Sequence, residues 1–411
     1  MLLCSVAVSA HDFYVDGVYY NITSTTNLTV GVTYRGESPL SYEGYKGSVV
    51  IPDSVVYNGK TYSVQSINFH AFYLSKVTSV TIGNNVTTIE ESAFESCTGL
   101  TNVKFGSRVC HIEDEAFSYC TSLKSVTFPK YLMSIGNEAF YNCSLKSVTI
   151  PKWVTSIGKD AFWGCGLTSI VVESGNSVYD SRDNCNAIIF TSTNGLLRGC
   201  INTIIPNSVK IIGENAFRGC GLTSVTIPNG VTSIGESAFY NCNFTSVTIP
   251  NSVKSIGDYA FYLCYELTSV TIPNSVKRIG ENAFQYCDNL ASVYLLNETP
   301  ANITSTTFGS VCVFYVPIGA KEAYKAAKYW RNNYIREWDV TAIADLTDDV
   351  LTFEITADGI QFTCAEGKTI AVYTTSGALV EKIDAYNGEE ITLDKGVYIV
   401  RVGGKAMKVK L

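Results

Sequence analysis

Residues 251–272 read NSVKSIGDYAFYLCYELTSVTI, one full copy of a phrase that recurs along the chain. Its core, Ala-Phe-x-x-Cys, places phenylalanines at Phe72, Phe94, Phe117, Phe140, Phe162, Phe217, Phe239, Phe261 and Phe284. Successive spacings are 22, 23, 23, 22, 55, 22, 22 and 23 residues. A period in the twenties marks a solenoid, in which each unit buries its apolar face against its neighbours. Within the phrase, Leu267, Val270 and Ile272 point inward and alternate with Ser269 and Thr271, the period of a half-buried strand. Pro273 closes that strand, since it has no N–H for a further ladder bond. Val276 and Ile279 open the next run, Gly280 permits a turn, and Ala283-Phe284 plugs the interior. The same register puts Ile82, Phe105, Phe128, Ile150, Val172, Ile227, Ile249 and Leu295 at strand ends. Stacked about 4.8 Å apart, nine rungs predict a rod of roughly 40–50 Å.

A cysteine closes all but the first copy, at Cys97, Cys120, Cys143, Cys165, Cys220, Cys242, Cys264 and Cys287; Ser75 stands in the first. One thiol per rung beside the same apolar plug behaves as a small buried hydrophobe, so free thiols are expected. No Cys-x-x-Cys or Cys/His spacing suggests zinc. The gap between Phe162 and Phe217 equals one unit plus an insertion of 33 residues, near 173–205. Two apolar runs flanking Ser-Thr-Asn-Gly there predict a β-hairpin turning at Asn194-Gly195. Asp180, Asp183 and Asn184 cluster as calcium ligands do, but their spacing fits no EF-hand loop, which favours a turn held by its own side chains. Cys185 and Cys200 are the one pair left open as a bridge.

Residues 1–10 are apolar and resemble the tail of a secretory signal without its basic start. No other apolar run reaches the ~18 residues of a membrane span. Residues 11–65 lack the phrase but alternate apolar and polar around Asp16-Gly17, which predicts an N-terminal β cap over residues 11–65. The repeats then run over 66–300. Ala320 to Trp330, rich in Ala, Lys and Glu, predicts a short helix in a C-terminal cap spanning 301–342. Residues 343–411 read as seven short strands with regular turns, a small β-sandwich-like domain. The fold expected is mainly β: a leucine-rich repeat solenoid with those two caps and that domain.

The pattern Leu-Thr-Ser-Val-Thr-Ile-Pro-Asn-Ser-Val-x-x-Ile-Gly-x-x-Ala-Phe-x-x-Cys, carried by 267–287 and, with Gly230 in place of the second serine, by 222–242, resembles the BspA-type leucine-rich repeats of Bacteroidetes surface proteins. The run Tyr179 to Ile189 resembles an insertion common in them, and Val372 to Gly377 with Gly396 to Val400 resembles their C-terminal secretion-sorting domains. The resemblance covers about residues 50–340 and implies a secreted or cell-surface chain, outer membrane associated, with relatives that act as adhesins for host matrix proteins. It brings no catalytic residue and no cofactor.

The residue inventory agrees with a non-enzyme. His11, His70 and His111 lie far apart, and no Gly-x-Ser-x-Gly, phosphate loop or His-Glu-x-x-His occurs. Glu113, Asp114 and Glu115 are adjacent rather than converging, leaving open only a carboxylate pair assembled by the fold. The net charge of −7 argues against nucleic acid. Tyr73, Tyr141, Trp163, Tyr240 and Tyr262 follow the plug and predict an aromatic strip, either packed on itself or open to a partner. Candidate partner-binding residues are the departures from the Ser/Thr columns: Lys104, Lys124 and Lys146, placed on strands, with Lys130, Lys152, Trp153 and Trp163. Two readings follow: a non-catalytic binder of an extracellular protein or glycan, a host matrix protein included, or the glycan-binding component of a carbohydrate-uptake system.

Overall fold

The computed structural model describes residues 11–34, 44–309, 312–331, 333–338, 353–355, 359–362, 369–374, 378–384, 389–402 and 405–410. The signal-like residues 1–10 and the segment 339–352 fall outside these.

The chain is a mainly β solenoid of stacked coils. A typical coil contributes a strand of the Ser-Val-Thr-Ile type, a corner most often made by proline, a two-residue Ser-Ile type strand, and a turn carrying the plug. Parallel pairing stacks the first strands in register, as in Ser147↔Ser169 to Ile150↔Val172 and Ser269↔Ser292 to Ile272↔Leu295. The short strands stack likewise through His111↔Ser134, Ser134↔Ser156, Ser233↔Ser255 and Ser255↔Arg278. The first ladder is interrupted in three coils. Residues 123–128, 201–205 and 222–227 form no strand, although Leu123, Ile205, Leu222 and Ile227 stay buried. The apolar pattern therefore fixes which side chains enter the core, whereas the hydrogen-bond ladder outside it tolerates gaps.

The plug turn forms a third ladder. Phe94 N–H donates to the Ala116 carbonyl of the next coil at 2.8 Å, and Phe239 to that of Ala260 at 2.8 Å. The residues two before and two after each plug have positive φ, as at Ser92 (53°), Ser96 (59°), Ser237 (50°) and Asn241 (54°). Their N–H groups also reach the next coil: Ser92 to the Asp114 carbonyl and Ser96 to that of Ser118. Inside, the phenylalanine rings stack face to face, with centroids 5.0 Å apart for Phe94–Phe117 and 5.3 Å for Phe239–Phe261. The cysteines serve the same turn. Cys120 Sγ faces the Phe94 carbonyl at 3.2 Å, Cys143 that of Phe117 at 3.2 Å and Cys264 that of Phe239 at 3.2 Å. The column holds free thiols, and each gives the plug carbonyl a weak donor where a purely apolar residue would give none. Cys220 departs from the expectation of full burial, being partly exposed beside the insertion.

The stack is not continuous. Phe72 to Phe162 form one column and Phe217 onward a second, and the core divides accordingly into two clusters at the insertion. The insertion folds as predicted: Ala187–Phe190 pairs antiparallel with Gly195–Gly199 around Asn194, whose φ is 54°. Gly195–Gly199 then starts the second short-strand ladder, pairing in parallel with Ile211–Ile212. Gly199 stands in the plug position of that rung, since it donates to the Ala216 carbonyl and Cys220 Sγ faces its own carbonyl. A Cβ at Gly199 would lie 2.1 Å from the Phe217 ring, so only glycine lets Phe217 close the second column. At the far end the second column gains a ring beyond Phe284: Phe308 stacks on it at 5.3 Å. Cys185 and Cys200 are both buried and free.

At the N-terminal end, Phe13–Val15 and Val18–Ser24 form a hairpin at Asp16-Gly17, and Thr29–Thr33 joins it to Lys60–Ile67. Lys46–Ile51 pairs in parallel with Lys76–Ile82, so residues 46–67 already occupy both ladders. At the other end the helix is shorter than its composition suggests. It spans Lys321–Ala326 and stops where Ala327 turns extended, because Trp330 folds back to donate to the Ala301 carbonyl at 2.9 Å. The flanking strands Val313–Pro317 and Tyr334–Trp338 pair in parallel, so the helix is the return segment of a last coil rather than a lid beyond it. In the C-terminal unit a three-stranded and a four-stranded antiparallel sheet contribute to one small core of Ile360, Ile370, Val372, Ile391, Leu393, Val400 and Val409.

Candidate partner-binding surface

The seven residues singled out in the sequence fall on four parts of the coil. Lys104 ends the strand Asn102–Lys104 and pairs with Thr81. Lys124 and Lys146 share a different column, one coil apart, with Lys146 N–H pointing at the Lys124 carbonyl (3.4 Å). Neither lies on a strand, contrary to expectation: Lys124 sits in one of the ladder gaps and Lys146 immediately precedes Ser147–Ile150. Lys130 and Lys152 sit at the proline corner, after Pro129 and Pro151, about 20 Å along the coil from Lys124 and Lys146 at extended-chain rise.

At that corner each lysine is followed by an aromatic ring. Lys130 Nζ lies 5.3 Å from the Tyr131 centroid and Lys152 Nζ 5.1 Å from that of Trp153. Tyr131, Met133 and Trp153 are 52%, 46% and 49% exposed, so close to half of each side chain remains open to a partner. The corners after Pro206, Pro250 and Pro273 carry Asn-Ser, at 207–208, 251–252 and 274–275, and that after Pro228 carries Asn-Gly at 229–230. Tyr131 and Met133 complete the patch and were not among the expected residues. The recurring Pro-Lys-aromatic triplet, 129–131 and 151–153, is the signal that could have found them. None of the five lysines takes part in an ion pair among the described residues. All five are exposed.

Trp163 belongs elsewhere. It lies on the plug-turn ladder, where Tyr141 stacks on it at 4.6 Å. Its other face meets the Arg218 guanidinium, 5.0 Å from the Trp163 centroid and 4.9 Å from that of Tyr240, and Tyr240 stacks on Tyr262 at 5.1 Å. Arg218 thus carries the aromatic strip across the break that interrupts the phenylalanine column. These rings cover one another, so the strip contributes rung stability.

The remaining candidates for chemistry resolve into structural contacts. Asp180 holds Arg182, whose Nε lies 2.7 Å from Asp180 Oδ1. Burial alone would raise the Asp180 carboxyl, but the guanidinium beside it holds it below the usual range. Arg182 also donates to Asn194 Oδ1 at 2.6 Å, tying the acidic turn to the hairpin. Asp114 accepts from the Asn137 backbone N–H at 2.7 Å and its side-chain amide at 2.9 Å. His111 Nδ1 is 2.8 Å from Ser134 Oγ, and among the described residues no metal-binding cluster includes it.

The BspA type leucine-rich repeat region matches residues 51–181 and 198–312, in six copies, leaving out part of the insertion. The chain belongs to the BspA-type leucine-rich repeat family. Among solved structures, a leucine-rich repeat protein from Bacteroides ovatus is 26% identical, with a TM-score of 0.56 over 82% of this chain and 93% of that one. The pneumococcal vaccine antigen PcpA is 20% identical, with a TM-score of 0.57 over 80% of this chain and 98% of its own, a likeness of fold alone. A leucine-rich cell surface protein from Faecalibacterium prausnitzii is 26% identical over 69% of this chain and 94% of that one, with a TM-score of 0.44. No curated protein matches the chain. Nothing in the family match indicates an enzyme. No helix among the described residues is long and apolar enough to cross a membrane.

Proposed function

We propose that this BspA-type protein is a non-catalytic, adhesin-like binding protein, secreted or held at the cell surface. It recognises an acidic extracellular partner, a host matrix protein among the candidates, through the basic corner Lys130, Tyr131, Lys152 and Trp153, with Lys124 and Lys146 extending the field. The observation that carries this reading is the replacement of a short polar corner by Lys-Tyr and Lys-Trp in two successive coils, with the rings half exposed. Half-exposed rings offer contact area at small entropic cost, while unpaired lysines attract an acidic surface and raise its association rate. The C-terminal unit, by its resemblance, serves export or attachment. The cell-surface label of the Faecalibacterium protein points the same way.

The second reading, a glycan-binding component of a carbohydrate-uptake system, draws on the same rings, since Trp153 and Tyr131 suit the apolar face of a sugar. A panel of matrix proteins and a glycan array, each probed with the full chain and with Tyr131→Ala/Trp153→Ala, separates the two. Loss of binding to an acidic protein on removing the rings supports the first reading. A wild-type signal confined to neutral glycans overturns it.

A further inference from the structure

The break between the two stacks has a defined cause. Leu196 pairs with Ile212, and Gly199 stands where Phe217 stands one rung later. Ile212 and Phe217 are five residues apart, whereas Leu196 and Gly199 are three apart. The inserted rung therefore cuts the corner by two residues and leaves out the segment that should fill the turn between Gly158–Asp160 and Gly213–Asn215. A cleft of about 420 Å³ occupies that place, with Phe162, Phe190 and Leu197 among its apolar walls.

The missing segment leaves backbone groups unmatched. In seven pairs of coils the residue two before the plug donates to the next coil, as Glu138 N–H does to the Lys159 carbonyl and Asn215 N–H to that of Glu236. At the cleft, among the described residues, Asp160 N–H finds no acceptor and the Glu214 carbonyl finds no donor. Two side chains add to this. The Asp160 side chain is 7% exposed and accepts at Oδ2 from Asn215 (3.1 Å) and Arg218 (3.4 Å), while its buried Oδ1 has no partner among the described residues. Arg198, also lining the cleft, gives Nη1 to the Asn215 carbonyl at 3.1 Å but has a buried Nε–H without an acceptor. Buried polar groups of this kind cost stability until something bonds them.

We infer that this cleft is a binding site for an N-acetylated amino sugar. The vacancy is one peptide unit long, so it matches a single secondary amide better than an extended chain. An acetamido carbonyl would accept from Asp160 N–H or Arg198 Nε–H, its N–H would donate to the Glu214 carbonyl, and its methyl would rest on the Phe162–Leu197 wall. A ring hydroxyl supplies the further donor that Asp160 Oδ1 lacks. The inference is independent of the lysine corner, and the variants that test it leave that corner intact.

Ligand-observed NMR on the full chain tests it, with N-acetylglucosamine, glucose and N-acetylalanine methylamide as probes. N-acetylglucosamine should bind at least about tenfold more tightly than glucose, the worth of one well-placed hydrogen bond to a charged group. Thr193→Trp, which fills the mouth from an exposed position, and Asp160→Asn should each weaken it by a similar factor. Thr193→Trp should melt as the parent does. Glucose binding as tightly as N-acetylglucosamine, no binding of either, or full binding in Thr193→Trp would overturn the site. Binding of the methylamide without N-acetylglucosamine would overturn the sugar assignment in favour of a peptide.

Discussion

Replacing Phe239 by alanine tests how the coils hold together. The ring is fully buried, stacked at 5.3 Å on both Phe217 and Phe261, and met edge-on by Phe244 at 5.9 Å. Truncating a buried phenylalanine costs about 3–5 kcal/mol, and the upper end applies because rings on both sides fix the cavity. Two stacked neighbours also lose their aromatic partner, at about 0.5–1.5 kcal/mol per pair, part of which the cavity figure already contains. With about 2–4 °C per kcal/mol for a unit of this size, the transition should fall by roughly 6–20 °C. Because the core divides at the insertion, the loss should concentrate in the second stack. Urea unfolding followed by Trp330 and Trp338 of the second stack, against Trp153 and Trp163 of the first, reads the two separately through single-tryptophan variants. The second-stack transition should move to lower urea while the first holds. A mutant melting within about 2 °C of the parent would refute the inward stacked column, and an equal shift of both stacks would refute their separation.

Buried native thiols should react slowly: burial pushes Cys97 and Cys165 up to about 12, so these two carry almost no thiolate at pH 8. Among the described thiols, a titration should show the faster reaction at the partly exposed Cys110 and Cys220, with the others released on unfolding. Arg218→Ala should cost about 1–2 kcal/mol by denaturant melting, since it removes two cation–π contacts and leaves Asp160 with one partner fewer. Glu115 is raised by partial burial and then by Glu95, Glu138, Glu91 and Asp114 nearby. A carboxyl that holds its proton more tightly when folded contributes stability below its unfolded pKa and loses it as pH rises through the folded one. Glu115→Gln should therefore stabilise the protein at pH 7, with the gain disappearing below about pH 4 in melts across pH.

The period was legible because it is written in covalent spacing, and the plug, the strand ends and the cysteine column all follow from it. What escaped was each place where the structure keeps a position but changes its residue. Gly199 stands in a phenylalanine position, with no Ala-Phe phrase to announce it. Phe308 follows Thr307 instead of alanine, and its cysteine arrives one residue late at Cys312. The third ladder uses left-handed Ser92, Glu115, Tyr119 and Leu263, residue types that give no local turn signal. Arg218 fills an aromatic column because a guanidinium can lie flat between two rings. For the candidate site, composition marked the lysines as departures, but only register shows that Lys130, Lys152 and Trp153 share a corner while Trp163 does not. The helix was overextended because Ala and Lys favour it locally, whereas the pull of Trp330 into the core is a tertiary effect.

Recruitment of an acidic partner by the basic corner has a direct kinetic signature. Association rates measured by surface plasmon resonance against the matrix protein that binds most tightly, from low salt to 1 M, test this directly. The screening length shrinks to about 3 Å at 1 M, so the wild-type rate should fall steeply with salt. Lys130→Glu/Lys152→Glu should slow association several-fold and flatten that dependence, and Lys124→Glu/Lys146→Glu should do so to a smaller degree. The same reversal at Lys254 and Lys277, in coils with the Asn-Ser corner, should change little. Equal losses in all three pairs, or a rate indifferent to salt, would contradict the assignment of the corner as the docking surface.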